Sequence, residues 1–277
     1  MFSGQICKCQ LGVLRMNLIG GLGNQLFQLA SVAELSWKYG IPFVLDAKSL
    51  DREFGLSFLN VFPNNAYKVM SVGTELRFIE SQACGTPKLR SYSEKNFHYT
   101  PIKLKGNHIK LQGYFQTEKY FLSISSGLRD LLRQNLQIES GTINSHAAIQ
   151  IRMGDMARNV RSRNFHGIIT DNYIKEACEI LDVNPRDLMV FSDDFASIEH
   201  ELPIFYSTNS DRSSSSNALS DLQRLSAQNR LIISNSSFGW WAAWLSSAKV
   251  VAPKNWFAKK SRKLNTKDLI PIHWFTI

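Results

Sequence analysis

The hydrophobic and polar positions at the start of the chain predict a strand, a tight turn, a helix and a second strand. Residues 13–19 are mainly apolar, residues 20–23 are rich in glycine, and residues 24–39 repeat apolar side chains at helical spacing. Gly40 supplies a stop for this helix, and a short apolar run then ends at Asp46. A strand–helix–strand unit of this kind is typical of an α/β protein.

The same alternation continues more regularly after residue 147. Apolar residues recur at helical spacing over 171–181 and 217–228, which predicts two helices that cover a sheet. Parallel pairing is expected, because strands joined by helical crossovers run in the same direction. The predicted strands of this half are 147–152, 188–192, 204–207, 230–233 and 249–252.

The middle of the first half is less regular. A strand is predicted at 108–111 and a helix over 118–136. Between residues 51 and 100, phenylalanines alternate with turn residues in no clear period, so the pattern assigns no element there. The sequence therefore leaves this region open.

Length and composition fit two globular domains. The chain has 277 residues, of which 44% are hydrophobic and 20% charged, which excludes a disordered chain. Residues 137–145 are polar and rich in turn formers, so we place the domain boundary there. The prediction is an N-terminal α/β domain over 1–140 and a C-terminal α/β domain over 141–277.

The net charge of +9 indicates anionic partners. No apolar run is long enough to span a bilayer, and the first residues lack the apolar core of a secretory signal, so we expect a cytoplasmic protein. Its basic residues suit peripheral contact with an anionic membrane, although a solvated basic face is an equal alternative. The excess lies at Arg158, Arg161, Arg163, Lys259, Lys260, Arg262, Lys263 and Lys267.

The run Gly20-Gly21-Leu22-Gly23-Asn24-Gln25 lies where the first strand turns into the first helix. Backbone N–H groups at such a position can approach an anion or a sugar closely, because glycine has no side chain. A dinucleotide fingerprint needs a third glycine where this chain has Leu26, so a dehydrogenase is disfavoured. A tight connection with no ligand stays an alternative.

The run Arg152-Met153-Gly154-Asp155 follows the apolar residues 147–151. It should therefore lie at the carboxyl end of a parallel strand, where open α/β sheets bind ligands. A guanidinium there can hold a diphosphate with two hydrogen bonds and stabilise the charge of a leaving group. A surface ion pair between Arg152 and Asp155 is the alternative.

Two further polar runs end predicted strands. Asp193 and Asp194 are adjacent in an extended segment and point to opposite faces, so they do not form a metal-chelating pair. We expect Asp194 to accept hydrogen bonds from a guanine edge, with an N-cap role as the alternative. The run 234–237 precedes an apolar helix that begins near Phe238, which predicts a phosphate cradle at a positive helix end. The tryptophans of that helix are assigned to the core.

Together these segments resemble the alpha-1,2-fucosyltransferase family, whose members carry G-G-L-G-N-Q-x-F-Q, H-x-R-R-x-D, S-D-D and N-S-S-F-x-W-W in this order. The resemblance implies a GT-B-like fold of two Rossmann-like domains with mainly parallel sheets. Five segments in the same order are hard to obtain by chance. The four motifs lie at residues 20–28, 150–155, 192–194 and 235–241, and the fifth segment, 111–121, also looks like a segment of the family.

The resemblance also implies a reaction. GDP-L-fucose would be the donor, the anomeric carbon would be inverted, and the acceptor would be the 2-hydroxyl of a galactose-containing glycan. Independently of the resemblance, we expect no metal, because the histidines and cysteines lack metal-ligand spacing, and no nucleic-acid partner. The N-terminal domain would hold the acceptor and the C-terminal domain the GDP-sugar. The donor-binding residues implied are Gly21, Gly23, Gln25, Gln150, Arg152, Asp194, Ser236, Ser237 and Phe238.

Three residues are expected to act in catalysis. Arg152 would hold the charge of the departing GDP, and Asp155 would take the proton of the attacking hydroxyl. Asn24, together with Gln25, could instead orient the sugar, in which case the departing phosphate would accept the proton.

Three positions depart from the family pattern. Gln150 stands where the family has histidine, Met153 where it usually has a second arginine, and Gly239 where serine is common. A transferase of the same fold with another nucleotide sugar is therefore an alternative. A basic nucleic-acid-binding protein is a second alternative, although the basic runs lack interleaved aromatic residues.

Overall fold

The computed structural model divides the chain into two compact units, Met1–Leu128 and Arg129–Ile277. Each unit contains one six-stranded sheet in which most neighbouring strands are parallel. The prediction of an α/β protein with mainly parallel sheets is confirmed. The structure describes residues 12–47, 50, 69–70, 78–79, 90–138, 144–205, 212–213, 217–258 and 264–277.

The sheet of the first unit has the strand order β4-β3-β2-β1-β6-β5. Its strands are β1 (Val13–Asn17), β2 (Phe43–Asp46), β3 (Val69–Met70), β4 (Phe78–Ile79), β5 (Arg90–Ser93) and β6 (His108–Gln112). The central strands β2, β1, β6 and β5 are parallel, whereas β3 pairs antiparallel with both of its neighbours.

Helix α1 (Leu22–Tyr39) makes the crossover from β1 to β2. Leu14 and Met16 of β1 are fully buried. Helix α1 ends at Gly40, which has φ 64°. Glycine adopts this left-handed conformation readily, so the predicted helix stop is confirmed. The strand–helix–strand unit read from the hydrophobic pattern is therefore present.

All strand pairs of the second sheet are parallel, in the order β12-β11-β10-β7-β8-β9. The strands are β7 (Asn144–Ile151), β8 (Leu188–Ser192), β9 (Arg212–Ser213), β10 (Gln228–Ile233), β11 (Lys249–Ala252) and β12 (Phe275–Thr276). The helices are α2 (Ser125–Asn135), α3 (Gly154–Arg158), α4 (Val160–His166), α5 (Asp171–Leu181), α6 (Phe195–Glu201), α7 (Ala218–Ser226) and α8 (Ser237–Leu245).

Helix α8 is apolar on all sides and lies in the core of the second unit. Trp240 and Trp241 are fully buried, and the exposed fraction of Trp244 is 2%. The Trp240 indole N–H donates to the carbonyl of Leu269 at 2.8 Å, which satisfies its one polar atom. The assignment of these tryptophans to the core is confirmed.

Two predicted elements differ in the structure. The helix expected over 118–136 is two short 3-10 turns followed by α2, because Thr117 caps the first turn and the buried Phe121 has a non-helical backbone. The strand expected at 204–207 is wrong for its described residues, since Pro203–Phe205 form a 3-10 turn. Residues 206–207 lie outside the described residues.

The chain divides into its two compact units between Leu128 and Arg129, whereas the sequence predicts the domain boundary at residue 140. The difference has a physical cause in the second half of α2. Arg129 lies over the ring of Trp244 at 4.5 Å, and Arg133 donates to the carbonyl of Leu245. These contacts attach the end of α2 to α8 of the second unit.

Candidate functional site

Three neighbouring strands of the second sheet carry the predicted donor-binding residues at their carboxyl ends. The strands lie in the order β10-β7-β8 and are parallel, so their carboxyl ends meet at one edge of the sheet. We call the residues that follow them, 152–155, 193–194 and 234–237, the second-unit edge. Open α/β sheets bind their ligands at such an edge.

Arg152 occupies the centre of the second-unit edge, directly after β7. Its Nε and Nη2 atoms donate to Asp155 Oδ1 at 3.1 and 2.8 Å, and Nε lies 3.6 Å from Asp193 Oδ2. The Arg152 side chain remains 28% exposed, so a ligand can reach it. Two carboxylates from two different elements therefore orient one guanidinium at the strand ends.

Asp193 also holds the start of α3. Its Oδ1 atom accepts hydrogen bonds from the backbone N–H groups of Met153 at 2.8 Å and Gly154 at 3.1 Å. A Cβ atom on Gly154 would lie 2.6 Å from Asp193 Oδ2, so a side chain there would require the Asp193 carboxylate to shift. The sequence did not assign Asp193 to the site, although its position directly after a strand was a usable signal.

Asp194 lies beside Asp193 but has different partners. Its carboxylate caps α6 by accepting from the N–H of Ser197 at 3.1 Å, and it pairs with Arg158 Nη2 at 2.9 Å. Burial acts to raise the pKa of Asp194, but the hydrogen bonds from Ser197 and Arg158 hold that pKa below its ordinary value. The structure thus gives Asp194 the N-cap role, and guanine reading stays a prediction.

Gln150 connects β7 to β10 from within the core. Its side chain is 5% exposed, and its Oε1 atom accepts from the Ser234 hydroxyl at 3.0 Å. The same hydroxyl accepts from the N–H of Arg152 at 3.0 Å. A Cβ atom on Gly239 would lie 2.5 Å from Gln150 Oε1, so Gly239 leaves the space that the glutamine occupies. Two departures from the family pattern, Gln150 and Gly239, are therefore in contact.

The turn from β10 into α8 presents a helix N-terminus at the second-unit edge. Ser236 is the N-cap, is 4% exposed, and makes no side-chain capping bond, and α8 begins with Ser237 and Phe238. Asn235 fixes this turn, because its Nδ2 atom donates to the carbonyls of His166 at 2.6 Å and Trp256 at 3.1 Å. The turn lies at the predicted position and is supported by these hydrogen bonds, and its role as a phosphate cradle stays a prediction.

His166 is a titratable group near this edge that the sequence did not assign. Burial lowers its pKa, while the charges of Asp155 and Arg152 act on it in opposite directions. Its ring contacts those of Phe165 and Phe257, at centroid distances of 4.8 and 5.8 Å. A neutral imidazole beside the charged pair is the state that this environment favours, and no sequence pattern identified it.

The basic run Arg158, Arg161 and Arg163 is largely neutralised. Arg158 pairs with Asp194, and Arg163 forms a two-fold pair with Glu201 at 2.6 and 2.7 Å. Such pairing disfavours a free basic surface for nucleic acid. Lys267 is exposed, whereas Lys259, Lys260, Arg262 and Lys263 lie outside the described residues.

A second edge lies in the first unit, where β1, β6 and β5 are neighbouring parallel strands. The residues that follow them are 20–24, 113–117 and 94, and we call these the first-unit edge. Gly21 is the N-cap of α1 and has open space where a Cβ atom would be, so its backbone is approachable. Asn24 accepts a hydrogen bond at Oδ1 from Gln116 Nε2 at 2.7 Å.

The other predicted residues of the glycine-rich turn serve the turn itself. Gln25 is fully buried and donates from Nε2 to the carbonyl of Gly20 at 2.9 Å, and Gly23 is buried in the first turn of α1. Gly20 has φ 76°, and a Cβ atom there would lie 2.4 Å from Asn24 Nδ2. The donor-binding role of Gln25 and Gly23 stays a prediction, since the described contacts assign them to local structure.

Each edge thus has its own set of polar groups. Arg152, Asp155, Gln150, Ser236 and Ser237 gather in the second unit, and Gly21 and Asn24 in the first. Over the described ranges, no three His, Cys, Asp or Glu side chains are placed to share a metal ion. In the same ranges, no helix has both the length and the apolar character to cross a membrane.

Two bacterial proteins are similar to nearly the whole chain. An Alpha-1,2-colitosyltransferase of Escherichia coli is 28% identical over 96% of this chain and 99% of its own length. The O-antigen biosynthesis glycosyltransferase WbnK of Escherichia coli is 26% identical over 91% of this chain and 97% of its own length.

Two solved structures have a weaker likeness. NodZ alpha-1,6-fucosyltransferase soaked with GDP-fucose has a TM-score of 0.45 at 13% identity, over 86% of this chain and 93% of that chain. A mutant of Arabidopsis thaliana FUT1 in complex with GDP has a TM-score of 0.44 at 12% identity, over 95% of this chain and 75% of that chain.

The family comparison covers more of the chain than any single motif does. The sequence model described as Glycosyl transferase family 11 matches residues 5–277. This range includes both sheets and every segment of the second-unit and first-unit edges. The chain is therefore a glycosyltransferase, and it belongs to glycosyl transferase family 11.

Proposed function

We propose that this protein transfers L-fucose from GDP-L-fucose to the 2-hydroxyl of a galactoside in a glycan, with inversion at the anomeric carbon. The observation that carries the proposal is the placement of Arg152 at the centre of the second-unit edge, held by Asp155 and Asp193. A fixed guanidinium at the carboxyl end of a parallel sheet suits a diphosphate. The order of motifs that resembles alpha-1,2-fucosyltransferases supports GDP-L-fucose as its source.

The reaction would be a single displacement. The acceptor oxygen forms a bond to the anomeric carbon while the bond from that carbon to the GDP oxygen breaks, so GDP leaves with the bonding pair. Arg152 and the N-terminus of α8 at Ser236 and Ser237 would hold the charge that develops on the diphosphate. These groups offer neutralisation within the chain, and we propose no metal ion for this step.

Asp155 is the proposed proton acceptor. Its contact with Arg152 must be released before it can take a proton. Asp155 Oδ1 accepts two hydrogen bonds from the Arg152 guanidinium, so this oxygen is engaged while the pair persists. When a diphosphate takes that guanidinium, these two bonds are released. Donor binding would then prepare Asp155 to take the proton of the attacking hydroxyl. The departing phosphate is the alternative acceptor if Asn24 orients the sugar.

The first-unit edge is the proposed acceptor side. Asn24 and Gln116 present amide groups there, and Tyr114 is 36% exposed and stacked on Phe97 at a centroid distance of 6.4 Å. Amides and an aromatic face suit neutral hydroxyl-rich ligands. Peripheral contact with an anionic membrane, through residues that include Lys267, is a further part of the proposal.

A second donor has support from one observation. A relative 28% identical over almost the whole chain is an Alpha-1,2-colitosyltransferase. Colitose is L-fucose without its 3-hydroxyl group, so the two donors differ by one oxygen atom. Gln150 and Met153 depart from the fucosyltransferase pattern, which makes a changed donor a specific alternative to L-fucose.

The test is a transfer assay with purified protein in buffer containing EDTA. GDP-L-fucose, GDP-colitose and UDP-galactose are offered with a panel of galactosides, and products are identified by mass and by linkage analysis. Transfer of fucose to the 2-hydroxyl with inversion is the expected result. Faster transfer of colitose would replace the donor, and activity lost with EDTA and restored by a divalent cation would overturn the metal-free mechanism. Transfer from UDP-galactose alone would refute the donor class.

A further inference from the structure

The loop 113–117 at the first-unit edge has an unusual backbone. Gly113 has φ 154° and Phe115 has φ 54°, which lies in the left-handed region that bulky residues rarely adopt. A conformation of this kind persists where surrounding contacts fix it. The loop follows β6 and precedes the 3-10 turn Glu118–Tyr120.

Glu94 supplies the main contact. It follows β5, and its Oε2 atom accepts hydrogen bonds from the N–H groups of Tyr114 at 2.7 Å and Phe115 at 2.8 Å. Gln28 of α1 donates from Nε2 to the carbonyl of Gly113 at 2.9 Å. A Cβ atom on Gly113 would lie 2.4 Å from Glu94 Cβ. A larger residue at position 113 would therefore collide with the Glu94 side chain.

The aromatic core fixes the other side of the loop. Phe115 is fully buried and contacts the rings of Tyr92 at 6.4 Å and Tyr120 at 5.2 Å. Burial raises the pKa of Glu94, although the two backbone N–H groups lower it. Its Oε1 atom is buried and has no hydrogen-bond partner in the part of the chain that the structure describes. The Glu94 carboxylate is therefore held in surroundings that disfavour its charged form.

The consequence of this loop conformation is the contact between Gln116 and Asn24. Gln116 Nε2 donates to Asn24 Oδ1 at 2.7 Å, which fixes the orientation of the Asn24 amide and leaves its Nδ2 group directed over Gly20. Without the contact, the Asn24 side chain can rotate. Its donor group would then lose its fixed position at the strand ends.

We propose that Glu94 is a positioning residue, which holds the loop 113–117 so that Gln116 fixes the Asn24 amide for a substrate oxygen. Glu94 touches no substrate in this role and acts through the loop. The catalytic consequence rests on the proposed function, because it assumes that Asn24 contacts a sugar. The structural part, control of the Asn24 amide by Glu94, does not depend on the substrate.

The first experiment is NMR of the side-chain amide of Asn24 in protein labelled with ¹⁵N-asparagine. Gln116→Ala breaks the contact directly and defines the shift of a released amide. Glu94→Ala is expected to reproduce that shift, and Glu94→Gln, which keeps one acceptor oxygen, to give a smaller one. Glu34→Ala is the matched control, because Glu34 Oε2 also accepts a backbone N–H, from Ile124 at 3.2 Å, without a link to Asn24.

The second experiment compares the same variants in the transfer assay. We expect Glu94→Ala to lower kcat about tenfold and to leave GDP binding within about twofold of the wild type, since the loss concerns orientation rather than donor affinity. Glu94→Gln should recover part of the rate. If Glu94→Ala does not fold, Glu94→Gln carries both measurements.

The outcomes separate the two proposals. An Asn24 amide that is unmoved in Glu94→Ala and Glu94→Gln but moved in Gln116→Ala overturns the positioning role. Equal rates for Glu94→Ala and Glu34→Ala overturn its catalytic consequence. A wild-type protein without transfer activity refutes the proposed function, while the amide shifts still decide whether Glu94 controls Asn24.

Discussion

The first-unit edge and the second-unit edge are formed in the same way, but their polar groups differ in charge. Both follow the carboxyl ends of neighbouring parallel strands, and both contain a glycine-supported turn into a helix. The second-unit edge is built from charges, with Arg152 held between Asp155 and Asp193. At the first-unit edge the proposed sugar-binding side chain is an amide, Asn24 held by Gln116, and the Glu94 carboxylate is bonded to the loop backbone.

This difference indicates which ligand each edge can hold. Charged groups that pair with one another keep a fixed geometry and can exchange partners when an anion arrives. Amides keep a fixed geometry without attracting an anion, which suits sugar hydroxyls. The comparison therefore predicts that charge substitutions affect donor binding and that substitutions in the amide network affect the rate. Four experiments examine the charges and contacts on which the two edges depend.

The largest effect is expected for Arg152→Ala. Loss of two charge-assisted hydrogen bonds to a diphosphate costs about 3 kcal/mol, or about 100-fold in the dissociation constant of GDP. Isothermal titration with GDP, with UDP as the nucleotide control, measures it. Arg161→Ala, which removes an exposed arginine of the same unit, should stay within about twofold. Equal losses in both variants would show that Arg152 has no special role.

The next effect concerns the contact between Gln150 and Gly239. Gly239→Ala places a Cβ atom on the Gln150 carboxamide and breaks its buried bond to Ser234. We expect Gly239→Ala to be less stable than Gly127→Ala by about 1–3 kcal/mol in denaturant unfolding. Gly127 lies in α2 with open space around it, so alanine there should stabilise the helix by about 0.5–1 kcal/mol.

A double variant makes this test specific. In a Gln150→Ala background the crowding atom is gone, and Gly239→Ala should then stabilise the protein in the same way as Gly127→Ala. A penalty for Gly239→Ala that persists without the glutamine side chain would contradict the pairing. The result would then point to a steric limit elsewhere, for example at Ile233, whose Cβ atom lies 3.3 Å from the added Cβ atom.

A smaller effect distinguishes two roles of Asp194. If its carboxylate is the N-cap of α6, Asp194→Ala should cost about 1 kcal/mol of unfolding free energy and leave GDP affinity unchanged. Arg158→Ala removes only the ion pair, and Arg158 is 75% exposed, so its cost should stay below about 0.5 kcal/mol. A GDP affinity that falls in Asp194→Ala but not in Arg158→Ala would instead support guanine reading.

The smallest effect is a response to mild acid that has opposite signs in the two units. The pKa of Glu94 is raised above 4.5, so the folded state takes up the proton first and gains stability as the pH falls from neutral towards 4.5. The pKa of His166 is lowered below 6.5, so the unfolded state takes up the proton first and stability is lost as the pH falls below 6.5. Hydrogen exchange of each unit, corrected for intrinsic rates, measures both signs.

Matched variants identify the groups responsible. Glu94→Gln should remove the gain of protection in the loop 113–117, and His166→Gln should remove the loss around α4. Asp194 and Glu201, whose pKa values are also lowered, add to the loss in the second unit only at lower pH. Changes of the same sign in both units would contradict the comparison.

The sequence predicted the regular parts of this molecule because each of these elements carries its own apolar pattern. Strands β1, β7 and β8 and helix α5 appear where the apolar pattern places them, since each contributes one face or stripe to a core. Strand β5 and the two-residue strands have no apolar pattern of this kind. Strand β5 is mostly exposed, and the two-residue strands are defined by their neighbours rather than by their own residues.

The positions of the candidate site residues were predictable where a motif and a strand end coincide. Arg152 and Asp155 lie together as their spacing indicates, and the turn before α8 has the expected position. Glu94, Gln116 and His166 were missed, because each depends on contacts between residues that are far apart in the chain. The contact between Gln150 and Gly239 was equally hidden, although both positions had been singled out as unusual.

The buried helix α8 also determines how the protein can be observed. Its three tryptophans and Trp274 form one cluster, in which the rings of Trp240 and Trp274 lie 5.5 Å apart. Trp37, 54% exposed, is the tryptophan of the first unit, and every other tryptophan lies beyond residue 128. Fluorescence excited selectively at tryptophan, rather than at tyrosine, will therefore report mainly on the second unit. An unfolding curve recorded by tryptophan fluorescence is therefore mainly a melting curve of the unit that contains Arg152.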